Sequence, residues 1–496
     1  MTELQDLATL IRASTPLIAI ETAEENRVVE TFRHVIAQVL RPLYRWTITD
    51  GLRRLDMAPV DGEAPREVAP DATATLQALR QNDEAGIYLL LDFLPYLRYP
   101  MTLRLVREIC QRQNCAAHTL VLIGTKLELP EDLESLATRF SPSLPGAQEL
   151  AQILREEAFA YSRDNSGKRV EVDAEAARAI VRNLRGLSVD DARRIVRKLI
   201  YHDGALNQGD VAELARAKFE LLNKDGLLHF EYDTARFSDV AGLAHLKGWI
   251  EQRRAAFLGL KKAAKLDPPK GLLLLGVQGC GKSLAAKAVA GGFGVPLVRL
   301  DFGTLYNKYH GETERNLRES LRLAEQLAPC VLWVDEIEKG LAGGDNDDGV
   351  SRRVLGYLLT WMSERREAVF LVATANQVQQ LPAELLRKGR FDEIFFVDLP
   401  QAASRAQIFS IHLAKRDLKP ADFDVAALAA TCDGFSGAEI EQAIVSALYA
   451  ANADNSTITQ SHIERALRET RPLSVLMAEQ VAALRAWAQE RTVSAD

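Results

Sequence analysis

Gly276-Val277-Gln278-Gly279-Cys280-Gly281-Lys282-Ser283 is the stretch on which the rest of the chain turns. It follows the apolar run 272–275 and opens into a helical stretch, 284–290, so it fits G-x-x-x-x-G-K-[ST] in a strand–loop–helix setting. Three glycines let the backbone turn its N–H groups inward without Cβ clashes, and the following helix N-terminus adds partial positive charge for an anion. Lys282 is expected to reach the β- and γ-phosphates of a nucleoside triphosphate, and Ser283 to ligate magnesium. The pattern implies a nucleotide site.

Moving outward, residues 296–302 read as the next strand, followed by a loop carrying Tyr309 and then a helix with Leu317, Leu321 and Ala324 on one face. The strand 331–334 delivers Asp335-Glu336. A carboxylate at a strand end can hold magnesium through water, and a second beside it can orient or deprotonate an attacking water. The strand 369–376 ends in Asn376. In a doubly wound sheet the carboxyl ends of the strands face the ligand crevice, which puts this amide near the γ-phosphate or its water. Arg387 and Arg390 follow, and paired arginines suit the charge on a transferring phosphoryl group.

With these residues in place, the segment 237–470 resembles the AAA clade of the AAA+ ATPases. The resemblance rests on Asp239-Val240-Ala241-Gly242-Leu243, the phosphate loop, Asp335-Glu336, the region from Ala373 to Asp392, and Gly434-Phe435-Ser436-Gly437-Ala438-Glu439. The G-V-Q-G-C-G-K-S loop and the arrangement of the first half resemble, more narrowly, AAA proteins named from chloroplast and cyanobacterial reading frames. The resemblance implies ATP and Mg2+ as ligands, with Ala241 and Gly437 lining the nucleotide beside residues 276–283, and Ser283 and Asp335 at the metal. It makes Glu336 the catalytic base, Asn376 the first sensor, and Arg387 and Arg390 fingers that reach a neighbour's nucleotide in a ring, usually a hexamer. Tyr309 matches the pore-loop aromatic that grips a translocating polypeptide, although His310 replaces the usual apolar residue. Val277-Gln278 replaces the common Pro-Pro, and Cys280 replaces Thr or Ala; neither change removes a phosphate-binding backbone group. Cys280 leaves two outcomes open, an oxidation-sensitive thiol or a packed inert one. The acidic loop 343–349 falls where a second pore loop would lie.

The first half repeats this order without its chemistry. Strands are expected at 16–21, 44–49, 87–92 and 118–124, with helices between them, which means an α/β domain with a mostly parallel sheet. The run 87–92 matches 331–335, 120–124 matches 370–373, Arg139-Phe140 sits where Arg390-Phe391 sits, and Gly186-Leu187-Ser188 mirrors Gly434-Phe435-Ser436. That parallel spacing suggests an internal duplication. Where a phosphate loop would stand the chain reads Glu21-Thr22-Ala23-Glu24-Glu25-Asn26, three carboxylates that repel phosphate. Asp92 is followed by Phe93, so the second acid is missing too. This domain is expected not to hydrolyse ATP and to serve assembly or a partner. Residues 148–222 are largely helical, and Arg193, Arg194, Arg197 and Lys198 there read as a salt-bridged face beside Asp190 and Asp191.

The 496 residues are 47% hydrophobic and 26% charged with net charge −7, as for a soluble globular chain without the footprint of a nucleic-acid or anionic-membrane binder. No apolar run approaches the ~20 residues of a bilayer span, and the N-terminus lacks the basic flank of a signal peptide. Five cysteines without a C-x-x-C pair point to a reducing cytoplasm, and the narrower resemblance implies the chloroplast stroma if the chain is plastid-encoded. The expected organisation is a degenerate ATPase-like α/β domain without a phosphate loop (1–145), a helical lid-like region and linker (146–226), a P-loop NTPase (AAA+) domain with a parallel sheet (227–401), a helical lid (402–470) and a C-terminal helix and tail (471–496). The expected function is Mg-ATP hydrolysis by a ring-forming, protein-remodelling motor acting on a protein client. A nucleotide-dependent assembly switch that threads nothing is the alternative; action on nucleic acid is disfavoured by the charge balance.

Overall fold

The computed structural model describes residues 3–57, 71–112, 117–223, 226–232, 239–260, 263, 265–305, 312–341, 348–387 and 389–496. Tyr309 and residues 343–347 of the acidic loop lie outside them. The chain divides into two compact units, Met1–Pro145 with Ser188–Ala192, and Gly146–Leu187 with Arg193–Asp496.

The first unit is built on six strands: β1 (Leu17–Glu21), β2 (Leu43–Thr47), β3 (Gly51–Arg54), β4 (Ile87–Leu91), β5 (Thr119–Gly124) and β6 (Ala137–Arg139). Their order is β3-β2-β4-β5-β1-β6, parallel except for the β2–β3 hairpin. The central strands β4 and β5 are buried along their whole length, as continuous apolar runs in a two-sided sheet must be. Alternate residues feed two cores: Tyr88, Leu90, Leu120 and Leu122 on one face, Ile87, Leu89, Val121 and Ile123 on the other. The hairpin strand β3 was not expected from the sequence, where its short, arginine-rich run carries little hydrophobic periodicity.

After β1, where the sequence has carboxylates in place of a phosphate loop, Glu24 is buried at 8% exposure. Its Oε1 accepts from the backbone N–H groups of Val189 (2.6 Å) and Asp190 (3.3 Å), the start of helix Val189–Asp203, and its Oε2 pairs with Arg27. The unit thus carries its own anion at a helix N-terminus, where the macrodipole favours one.

The second unit carries β7 (Leu228–Glu231), β8 (Gly271–Gly276), β9 (Leu297–Leu300), β10 (Cys330–Val334), β11 (Val369–Ala375), β12 (Glu393–Val397) and β13 (Val493–Ser494). The order is β13-β12-β8-β11-β10-β9-β7, with only β7 antiparallel. Leaving β13 aside, the five parallel strands repeat the order of the first unit (β9-β10-β11-β8-β12 against β2-β4-β5-β1-β6), while the antiparallel edge strand differs in connectivity: β3 follows β2 as a hairpin, whereas β7 precedes the phosphate-loop strand β8. Asp92 (φ 51°) and Glu336 (φ 49°) even share the left-handed turn after their strands. The duplication suggested by residue spacing is therefore matched by topology, with one acid in the first unit where the second has two.

Helix Glu312–Gln326 buries the expected face, Leu317, Leu321 and Ala324. The helices of 147–222 pack beside the sheet unit through Lys218, whose buried ammonium donates to the carbonyls of Asn183, Arg185 and Ala328; burial pushes its pKa down to about 8. Arg193 and Arg197 pair with the buried Glu157, and Lys198 with Glu213, so these cations serve a salt-bridged face. In the lid, Ser436 and Glu439 close a reciprocal cap on helix Gly437–Ala453. The C-terminal segment meets both the lid and the sheet: the Leu473 N–H donates to Glu439 Oε1 (2.6 Å) and the Ser474 hydroxyl to the Gly434 carbonyl (2.7 Å). Val481 and Leu484 of helix Ala478–Ala488 join the core of the seven-stranded sheet, and the chain then adds β13 to that sheet. Among the described residues no helix is long and apolar enough to cross a membrane.

Candidate nucleotide site

The phosphate loop begins where β8 is squeezed between two neighbours. A Cβ on Gly276 would sit 2.0 Å from the Val397 carbonyl oxygen, so only glycine lets β12 run this close. Gly279 (φ 79°) and Gly281 (φ 89°) then take the left-handed conformations that curl the loop into helix Lys282–Phe293. Lys282 is 7% exposed, and its Nζ donates to the carbonyls of Gly276 (2.9 Å) and Val277 (2.8 Å). Burial lowers its pKa. An ammonium desolvated this far gains more from an anion than an exposed one. Cys280 packs against both faces' cores, and burial pushes its thiol up to about 12. It stays protonated at neutral pH, which favours the inert outcome over the oxidation-sensitive one.

The acids are held by a network that the sequence did not reveal. Thr374, 1% exposed, donates its hydroxyl to Asp335 Oδ1 while accepting from the backbone N–H of Glu336 (2.9 Å). Glu336 is gripped on both oxygens, by Asn376 Nδ2 (2.8 Å) on Oε1 and Lys339 Nζ (2.5 Å) on Oε2. That bond raises the Lys339 pKa. The backbone N–H of Asn376 donates in turn to the buried Glu338 (2.8 Å). Thr374 had a usable signal: in a strand, residues two apart share a face, so it stands beside Asn376. Glu338 had none, because its partner, the Asn376 N–H, follows another strand, whereas Lys339 meets Glu336 at the i,i+3 spacing of a helical turn.

A cleft of about 540 Å³ brings together Ala241, Gln278 to Ser283, Asp335, Glu336, Asn376 and Gly437, along with Thr374, His412 and Asp496. Gly276 and Val277 line an adjacent cleft with residues of helix Ala478–Ala488. The lid meets the phosphate loop directly, since the Ala438 N–H donates to the Gly279 carbonyl (3.3 Å). Arg387 and Arg390 line neither cleft. Arg387 is exposed, whereas the Arg390 guanidinium donates to the Leu359 carbonyl and the Ser363 hydroxyl of helix Asp348–Glu364. The donor set suits a magnesium-bound triphosphate: a cationic, glycine-lined loop stands beside a hydroxyl and two carboxylates, the hard oxygen ligands that magnesium takes.

Comparison with known proteins agrees with this geometry. Residues 272–399 match the ATPase family associated with various cellular activities (AAA), and 422–465 match the AAA+ lid domain. Residues 3–141 and 148–225 match the N-terminal and second domains of SpoVK-like AAA ATPases. The chain is 34% identical over 488 residues to the AAA domain-containing protein ycf46 of Pyropia yezoensis, covering 98% of this chain and 97% of the relative. It is 34% identical over 268 residues to a cell division cycle protein 48 homolog of Archaeoglobus fulgidus, covering 49% of this chain and 36% of that protein. It is also 36% identical over 247 residues to a proteasome-activating nucleotidase of Aeropyrum pernix, covering 47% and 60%.

Proposed function

The chain belongs to the AAA ATPase family, among the ycf46 proteins with SpoVK-like N-terminal domains, and on that premise we propose that it hydrolyses Mg-ATP as a ring and couples the cycle to remodelling a protein partner. The observation that carries this reading is the convergence of the phosphate loop, Asp335, Glu336 and Asn376 on one cleft, with Thr374 bridging the two acids.

In this mechanism the loop N–H groups and the start of helix Lys282–Phe293 cradle the phosphates, and Lys282 exchanges its two loop carbonyls for phosphate oxygens. Ser283 and Asp335 would hold the magnesium that accompanies the triphosphate, and the ion would neutralise charge on the phosphate oxygens. Glu336 takes a proton from the attacking water as the water oxygen bonds the γ-phosphorus and the bond to the β–γ bridging oxygen breaks. Asn376 keeps the Glu336 carboxylate aimed. Arg387 and Arg390 serve a neighbouring subunit's site, a role supported by their position outside their own cleft. The degenerate first unit contributes assembly or partner contacts, and Tyr309 grips the client.

A second reading has one observation in its favour. Arg390 is tied to helix Asp348–Glu364 of its own chain, as in a nucleotide-dependent switch that never threads a chain. One experiment separates them: the mass distribution of Glu336→Gln with and without ATP, beside phosphate release by wild type, Glu336→Gln and Lys282→Ala. The motor reading expects an ATP-dependent hexamer, hydrolysis by wild type alone, and no nucleotide binding by Lys282→Ala. A monomer or dimer under both conditions overturns the ring in favour of the switch, and full turnover by Glu336→Gln overturns the catalytic assignment.

A further inference from the structure

The C-terminal segment reaches the nucleotide cleft. β13 pairs in parallel with β12, Phe395 against Val493 and Phe396 against Ser494. Two further bonds hold the backbone beyond β13 in place: Ala495 N–H donates to the Phe396 carbonyl (3.0 Å), and Leu246 N–H to the Ala495 carbonyl (3.2 Å). The next side chain, Asp496, then accepts from the Leu243 backbone N–H at 2.6 Å and from the Ser404 hydroxyl at 3.4 Å.

These contacts shape the wall of the cleft. Gly242 (φ 65°) and Leu243 (φ 60°) are consecutive left-handed residues, a conformation that is strained for a non-glycine such as Leu243. A short, charge-assisted bond to the Asp496 carboxylate holds the chain there. Val240, Ala241, Leu243 and Asp496 all line the cleft.

The cleft has two distinguishable ends. One opens toward a neighbouring hollow lined by Asp335, Glu336 and Lys339, the other toward a hollow lined by Leu243, Pro400 and Asp496. Phosphates seated on the loop beside the acids direct the base to the second end. An ionised carboxylate only accepts hydrogen bonds, and each of its oxygens has a lone pair beyond the one used in the wall. At the six position of a purine it gains from an amino group, a donor, and is repelled by a carbonyl.

We propose that Asp496 selects the base, fixing the 240–243 wall and accepting from the exocyclic amine of a 6-aminopurine, so that adenine is taken over 6-oxopurines. The inference rests on the nucleotide-site reading above. Its test uses the full chain and three probes: ADP, inosine diphosphate, which differs in carrying the 6-oxo group, and pyrophosphate, which has no base. Wild type is expected to bind ADP about tenfold or more tighter than inosine diphosphate, the scale of one hydrogen bond to a charged group. Asp496→Asn keeps an oxygen for the Leu243 N–H and adds a donor for a 6-oxo group, so the ratio collapses toward unity while pyrophosphate affinity holds. Asp496→Ala loses the same ratio. An unchanged ratio in both variants, equal weakening toward both nucleotides, or no discrimination by wild type overturns the proposal. Binding of none of the three probes by wild type overturns the nucleotide site itself, a different failure.

Discussion

Replacing Thr374 by Val tests whether one buried hydroxyl sets the geometry of the catalytic acids. The side chain is 1% exposed and Val has nearly its shape, so the change removes hydrogen bonds with little loss of packing. Two are lost, one to the Asp335 carboxylate and one from the Glu336 backbone N–H. A bond to a charged group is worth about 1.5–3 kcal/mol and a neutral one about 0.5–1.5, so about 2–4 kcal/mol of local order is at stake. Glu336 is the more vulnerable partner, because its φ of 49° is a strained conformation that this bond helps to hold. If about half of that energy is felt as misplacement in the transition state, turnover falls about 5- to 30-fold, at 1.36 kcal/mol per decade. ADP affinity should stay within about threefold, since no atom of the phosphate loop is touched. Steady-state phosphate release at saturating Mg-ATP, beside ADP titration, reads both. Turnover within threefold of wild type in a folded Thr374→Val protein would refute the reasoning.

Two further predictions concern stability. Glu24→Ala leaves the N–H groups of Val189 and Asp190 without their acceptor, at a cost of about 2–3 kcal/mol. Hydrogen exchange at those two amides should accelerate while ADP affinity is unchanged, and unchanged protection would count against the anion-cap account. Burial depresses the pKa of both His118 and His412, so each is neutral in the folded chain where the unfolded chain, near 6.5, begins to take a proton. The unfolded state then binds more protons on acidification, so this contribution is fully present above about pH 7 and is lost as pH falls through 6.5. Denaturation midpoints between pH 5 and 8 should show that loss, and the double variant His118→Gln/His412→Gln should flatten it; a midpoint that rises on acidification would contradict the sign.

The sequence determined, by itself, whatever depends on neighbours along the chain. The loop 276–283 announces its chemistry because a phosphate cradle needs glycines, a lysine and a hydroxyl at fixed local spacing. Continuous apolar runs marked β4, β5, β8 and β10 because strands buried on both faces have no polar alternation. The three carboxylates after β1 signalled that the first unit had abandoned phosphate, though not that Glu24 would itself cap a helix start 165 residues away. Only the tertiary structure decided the bonds that tie the two strand ends together: Thr374 to Asp335 and Glu336, Asn376 to Glu336, and the Asn376 N–H to Glu338 on the short helix Ile337–Leu341. It also showed that the tail beyond the expected C-terminal helix adds a strand to the main sheet and brings Asp496 to the cleft. Two residues of strand carry almost no periodic signal, and a hydrogen bond across 253 positions depends on sheet order, which is settled by packing and not by local preference.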